Sequence, residues 1–393
     1  MWTEMGIRAY LDWNATTPLR DEARVATVRA MDLVGNPSSV HAEGRAARRL
    51  VEDAREHVAA LVGAAPRNVI FTSGGTEANA LALMPGLYDG QGRPRDRLLM
   101  STVEHPSVRN GARFPPSAQE DIPVTGTGVV DTGWLAHRLA ELAGNRPLVS
   151  LMLANNETGV IQPVATVAEA VHAHGGLLHV DAVQAAGKIT CDINSLGADL
   201  LTISAHKLGG PKGVGALILA DEALHIPDPL LKGGGQESNR RAGTENVIGI
   251  VGFGAAAQAA VASLAYNAAR MTAARDRLEA RVREIAPEAV IFGADAPRLP
   301  NTTLLTVSGI RAETALIALD LEGVAVSSGS ACSSGKVAPS HVLAAMGVPS
   351  ELALGAIRVS LGPITTDDEI EIFLKAWTKR VIGLSRAKRG LAA

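Results

Sequence analysis

Between Val69 and Leu219 the chain alternates short apolar runs with turns and helix-length segments. The runs are Val69–Phe71, Leu98–Ser101, Leu148–Leu153, Leu177–Asp181, Leu200–Ser204 and Val214–Leu219, and helical patterns lie near Thr76–Met84, Trp134–Ala143 and Val164–His174. Runs this short that are apolar throughout read as strands buried on both faces. Strands alternating with helices predict an α/β chain, with a mostly parallel sheet between two layers of helices. Val214–Leu219 follows Leu200–Ser204 closely and is open to an antiparallel placement.

A chain of 393 residues exceeds one ordinary domain, and two are expected. Ser38–Leu61 reads as a helix with charges on one side and Ala, Leu and Val on the other. Val247–Ala269 could span a bilayer by length, but its Gly, Ala, Gln258 and Asn267 suit a buried helix at a domain junction better. Beyond it come a charged amphipathic helix (Met271–Ile285), a Pro-rich link, a strand (Thr302–Val307), a helix (Glu313–Leu321) and the loop Ser327–Gly335. The expected division is a large domain over 14–257 and a smaller α+β domain built from 1–13 and 258–393. The tail after Leu384 is expected to be a solvated end.

Composition narrows the function classes. A net charge of −3 offers no footprint for nucleic acid or a membrane surface. Two cysteines, Cys191 and Cys332, provide neither a disulfide framework nor a Cys-rich metal site and fit a reducing compartment. No signal peptide is read at Met1–Met5, and a soluble, cytoplasmic protein without a metal site is expected.

In open parallel sheets ligands lie at the carboxyl ends of the strands, and here those ends are polar. Leu200–Ser204 runs into Ala205-His206-Lys207; Leu177–Val180 ends in Asp181, with Gln184 three residues on. Leu98–Ser101 leads to Glu104-His105, and Leu148–Leu153 to Asn155-Asn156-Glu157. Singly, each could be a cap or a solvated charge. Together they meet the demands of a pyridine cofactor: a Schiff-base lysine, an acid for the ring nitrogen and a flat group to stack on the ring. Thr72-Ser73-Gly74-Gly75-Thr76-Glu77 opens a helix after a strand, and either cradles a phosphate or is an ordinary Gly-rich turn. The absence of a Gly-Lys-Ser/Thr loop and of Gly-x-Gly-x-x-Gly after a strand argues against nucleoside triphosphate and dinucleotide readings.

Cys332 lies in Ser327-Ser328-Gly329-Ser330-Ala331-Cys332-Ser333-Ser334-Gly335, where small residues leave nothing to bury the sulfur, so a mobile nucleophile is the better reading. Cys191 reads as a small buried hydrophobe. Arg358 sits in the apolar run Ala356–Ser360 and needs an anion, either a protein carboxylate or that of a substrate.

Tyr10–Pro18, Gly35–His41, Thr72–Asn79, Asn155–Gly159, His179–Gln184, Ser204–Gly210, Arg241–Asn246 and Ser327–Gly335 together resemble the group I (NifS/IscS-like) cysteine desulfurases. These are fold type I pyridoxal 5'-phosphate enzymes of the class V aminotransferase group. The resemblance implies a seven-stranded, mostly parallel large sheet with a smaller α+β domain, and an activity converting L-cysteine to L-alanine. It implies that Lys207 holds the cofactor, Asp181 pairs with the ring nitrogen, and His105 stacks on the ring and moves protons. Asn156 and Gln184 would bond the ring oxygen, while Gly75, Thr76, Ser204 and His206 would bind the phosphate. Thr244 would reach the phosphate of a second subunit, making a homodimer with shared sites. Arg358, with Asn36 and Asn156, would take the substrate carboxylate, and Cys332 would receive the sulfur as a persulfide for an acceptor protein such as an iron–sulfur scaffold. Trp13 and the short, Pro-rich segment Arg109–Asp131 depart from the family pattern. Another lyase or aminotransferase on this scaffold, such as a selenocysteine lyase, and a non-catalytic scaffold remain as alternatives.

Overall fold

A computed structural model describes residues 8–89, 94–142, 144–329 and 339–383. Its central sheet has seven strands: β1 (Val69–Thr72), β2 (Leu98–Ser101), β3 (Gln119–Ile122), β4 (Leu148–Met152), β5 (Leu177–Asp181), β6 (Leu200–Ser204) and β7 (Gly215–Leu219). Their order across the sheet is β1–β7–β6–β5–β4–β2–β3. Neighbours run parallel except at β7, which is antiparallel to both β1 and β6. Met152 lies opposite Asp181, and Asp181 opposite Thr202, so the polar ends of β4, β5 and β6 share one edge.

β3 was not expected. Its sequence, Gln-Glu-Asp-Ile, buries only Ile122, because an outermost strand needs little apolar surface. At the opposite edge, β1 is covered by a side chain. Glu237 accepts a hydrogen bond from the Phe71 N–H (3.0 Å) and pairs with Arg55 (2.8 Å). Glu237, Ser238 and Asn239 are all left-handed (φ 47°, 55° and 64°), a strained run held by that buried pair.

The helix foreseen over Ser38–Leu61 begins at Ala42, after His41 caps the Gly44 N–H, and the helix Asp21–Met31 had no counterpart in the sequence reading. The segments read as Val247–Ala269 and Met271–Ile285 form one helix of 39 residues, Val247–Ile285. No Gly or Pro follows Gly254 to interrupt it. It is long and apolar enough to cross a membrane. In this fold its first part packs on the large-sheet core through Ile250, Phe253 and Ala257, and its last part joins a second core through Ala274, Leu278 and Val282. Gly254 permits the close approach: a Cβ there would lie 2.6 Å from Ala54 Cα.

The second core backs an antiparallel sheet of Ser327–Ser328, Ile357–Ser360, Thr302–Thr306 and Val290–Ile291. Ala9–Tyr10 pairs in parallel with Val324–Ala325, and Asp12 bridges to Ser360. The N-terminal segment thus belongs with the C-terminal third of the chain. We keep the division 14–257 against 1–13 plus 258–393 as a proposal, with its boundary inside the long helix. The tail after Leu384 lies outside the described residues.

Candidate active site

The polar ends of β4, β5 and β6 face Arg358 of the second sheet across a cavity of about 340 Å³. Gly75, Thr76, His105, Asn156, Asp181, Gln184, Ser204, His206, Lys207 and Arg358 all line it. Residues as distant in the chain as Gly75 and Arg358 therefore meet in one site.

Lys207 ends the turn Ala205–Lys207 that follows β6, and its Nζ donates to the carbonyl oxygens of Asn14 (2.5 Å) and Ala15 (2.9 Å). Asp181 closes β5; its Oδ1 accepts from the Val183 N–H (2.9 Å) and its Oδ2 from Asn79 Nδ2 (2.8 Å). Asn79 Nδ2 also donates to Ser107 Oγ (2.9 Å), which lies 2.8 Å from His105 Nδ1. With Asn79 donating to it, the Ser107 hydroxyl sends its own proton to His105 Nδ1, which also accepts from the Ser107 N–H (3.1 Å). The His105 proton then resides on Nε2. Burial lowers the His105 pKa below its ordinary value, Asp181 opposing and Lys207 and His341 adding to the effect, so the ring is neutral near pH 7.

The other end of the cavity is built for an anion. Gly75 and Thr76 begin the helix Gly75–Ala82, where backbone N–H groups are unpaired by the helix itself. A Cβ on Gly75 would fall 2.9 Å from Val183 Cγ2, so a side chain would close the cradle. Ser204 adds a hydroxyl, and His206 is held neutral, pushed down to about 4 by burial first and then by Lys207 and Lys212.

Of the two anions considered for Arg358, a protein carboxylate is in place. Its Nη2 donates to Asp12 Oδ1 (2.9 Å) and its Nη1 to the Asn156 carbonyl (2.9 Å), while Nε has no partner among the described residues. The guanidinium is fixed by protein groups and still lines the cavity with donor capacity left.

Two expected site residues lie elsewhere. Asn36 is exposed and its Oδ1 accepts from the Ser38 N–H (2.9 Å). Thr244 is exposed and lines a separate cleft with Ser73, Gly213 and Arg241. Neither lines the Lys207 cavity of its own chain. Cys332 lies outside the described residues, but both flanks of its segment meet Glu157. Ser340 Oγ donates to Glu157 Oε2, and a Cβ on Gly329 would lie 3.1 Å from the same oxygen. Burial raises Glu157 to about 7, against the Ser340 hydrogen bond and Arg358. Cys191 is buried as expected, its thiol pushed up to about 12 by burial.

The sequence reading assigned no role to Asn14, Asn79, Ser107 or Lys188. Asn79 follows Thr76 by three positions, the spacing that places two residues on one helix face, and this was the available signal.

An anion cradle, an amine, an acid and a neutral imidazole in one cavity are the groups that pyridoxal 5'-phosphate requires, and the Gly75 cradle leaves room for its phosphate. The family model for class-V aminotransferases matches residues 9–373. Cysteine desulfurase IscS of Dictyoglomus turgidum is 42% identical over 370 residues, covering 93% of this chain and 92% of that protein. The chain belongs to the NifS/IscS-like cysteine desulfurases. An IscS-like cysteine desulfurase of Mycobacterium tuberculosis is 38% identical over 393 residues, 98% of each chain. The NifS-like protein from Rickettsia africae superposes with a TM-score of 0.87 at 36% identity, covering 95% of this desulfurase-family chain and 99% of the other. Like the class-V aminotransferases as a group, this desulfurase-family chain takes pyridoxal 5'-phosphate.

Proposed function

We propose that the cavity around Lys207 converts L-cysteine to L-alanine and passes the sulfur to Cys332 as a persulfide. The observation that carries this reading is the meeting of Lys207, Asp181, His105 and Arg358 in one cavity, in a chain of the desulfurase family. When bound, pyridoxal phosphate supplies an electron sink for the pair released at the substrate Cα. Lys207 would hold the cofactor, and its amine would take the substrate Cα proton. Asp181, kept in place by Asn79 and Val183, would hold the ring nitrogen, and the neutral His105 would flank the ring and hand on protons from Nε2. Gln184 and Asn156 would bond the ring oxygen, while Gly75, Thr76, Ser204 and His206 would take the phosphate. Arg358 binds the substrate carboxylate with its remaining donors.

Sulfur transfer follows from nucleophilic attack of the Cys332 thiolate on the substrate sulfur. The new S–S bond forms as the Cβ–S bond breaks, the electron pair stays with carbon, and Cβ takes a proton to become the alanine methyl group. One solved relative, SspA, was determined in complex with cysteine (27% identity, TM-score 0.73), which supports the same substrate here. The sulfur leaves Cys332 for an acceptor protein, an iron–sulfur scaffold being the expected one, in the cytoplasm.

The working unit is a homodimer. Thr244 and Asn36 are exposed and away from their own cavity, and the helix Asp21–Met31 with its following link exposes Val25, Val28, Met31, Val34 and Val40. A second copy covering this face would bring Thr244 to the partner's phosphate and Asn36 to its substrate.

The test is turnover with absorbance. Cys332→Ala should abolish sulfide and alanine formation from L-cysteine and keep the lysine-bound chromophore. Lys207→Ala should lose both. Desulfuration at the parent rate by Cys332→Ala would remove Cys332 as the sulfur acceptor, and turnover of selenocysteine alone would favour a selenocysteine lyase.

A further inference from the structure

Lys188 has no part in the chemistry above, yet its amine lies behind the cavity wall. It is 6% exposed, and its Nζ donates to Gln184 Oε1 (2.8 Å) and Asn14 Oδ1 (3.1 Å). Both acceptors are neutral amide oxygens, and among the described residues no carboxylate pairs with Lys188. A buried ammonium without a counter-ion is strongly disfavoured, whereas a neutral amine has two N–H donors for these two acceptors. The surroundings act the same way: burial first, then Lys207 and Arg358, hold its pKa well below the ordinary lysine range.

The consequence falls on Gln184. With Oε1 engaged by Lys188, the amide must turn Nε2 the other way, where one N–H meets the Asn14 carbonyl (3.0 Å). The second N–H has no acceptor among the described residues, and Gln184 lines the cavity. Without Lys188 the amide could turn over and offer an oxygen instead. The same amine holds Asn14, whose carbonyl receives Lys207 Nζ and whose Nδ2 donates to the Asn156 carbonyl (3.3 Å) and to Thr302 Oγ1 (2.9 Å).

We propose that Lys188 is a positioning residue that sets the Gln184 amide as a hydrogen-bond donor into the cavity and holds the Asn14 carbonyl under Lys207. The ligand group served by that donor is an anionic oxygen on the cofactor ring, and this part rests on the function proposed above.

The test uses cofactor-loaded parent, Lys188→Met, Gln184→Leu and the double variant. Lys188→Met should shift the pH titration of the lysine-bound chromophore by about one pH unit or more and raise the cofactor dissociation constant roughly ten- to a hundredfold, as loss of one hydrogen bond to a charged group does. Gln184→Leu should shift both in the same direction, and the double variant should be no worse than Lys188→Met alone, because one acts through the other. Lys188→Gln is the second variant if Lys188→Met fails to fold; it keeps a donor, so its shift should be smaller and in the same direction. Unchanged titration and dissociation constant in whichever variant folds would overturn the proposal, as would full additivity in the double variant. A parent enzyme with no lysine-bound chromophore would instead strike the reading of the site itself.

Discussion

Replacing Glu157 by glutamine tests whether a carboxyl group is buried in its protonated form at the root of the Cys332 segment. Glu157 is 4% exposed, receives the Ser340 hydroxyl, and is raised to about 7, chiefly by burial. An unfolded Glu releases its proton at about 4.3, so between that value and 7 the folded chain holds a proton that the unfolded chain has lost. The stability contributed by this group is complete below the lower value, falls as pH climbs through the window, and is gone above 7. At about 1.4 kcal/mol for each pH unit, the swing is about 4 kcal/mol. The amide introduced by Glu157→Gln cannot ionise but keeps an oxygen for Ser340. Urea unfolding of loaded parent and Glu157→Gln at matched pH values between about 4.5 and 8 would isolate the group, because every other titration is common to both. The stability difference should move by about 4 kcal/mol in favour of the variant up to about pH 7 and then level off. A difference that stays flat from about pH 5 to 8, or that moves the other way, would refute a buried neutral Glu157.

Arg358→Lys keeps a charge but loses the planar fork that bonds Asp12 and the Asn156 carbonyl. Steady-state assays should show KM for L-cysteine raised roughly tenfold or more, with the chromophore intact. Asn79→Leu removes the donor shared by Asp181 and Ser107, so kcat should fall about tenfold or more, as one lost buried hydrogen bond to a charged group implies. An unchanged kcat would show that Asp181 and His105 hold their places unaided. Glu237→Ala leaves Arg55 buried without its main partner and the Phe71 N–H uncovered, which should lower stability by about 3–5 kcal/mol in urea unfolding.

The strands that position the site were legible because β4, β5 and β6 are buried on both faces and written in Leu, Val and Ile. β3 was not, since an edge strand with one buried residue carries no apolar pattern. The long helix was read as two because its composition changes near Met271, although nothing in its backbone does. In the site, Lys207, Asp181 and His105 announce themselves as polar residues at the ends of apolar runs. Lys188 does not: in Gly187-Lys188-Ile189 it looks like any solvated lysine, and only folding brings Asn14, 174 positions away, against it. Asn36 and Thr244 are harder still, because their proposed task depends on a second copy of the chain.

The unbroken helix Val247–Ile285 makes chain length a catalytic variable. Its start is packed against the large sheet and its end against the sheet that bears Arg358, with no loop between to absorb a change. Deleting one residue near Tyr266 would rotate everything beyond by about 100° and draw it about 1.5 Å along the axis. The hydrogen bonds that join Asn14 to Asn301 and Thr302 could not follow such a turn, so the helix would have to bulge or the cavity would lose its Arg358 wall. Many side chains on the exposed face of this rod, Val261 and Tyr266 among them, are free to change in kind, whereas the number of residues in it is not.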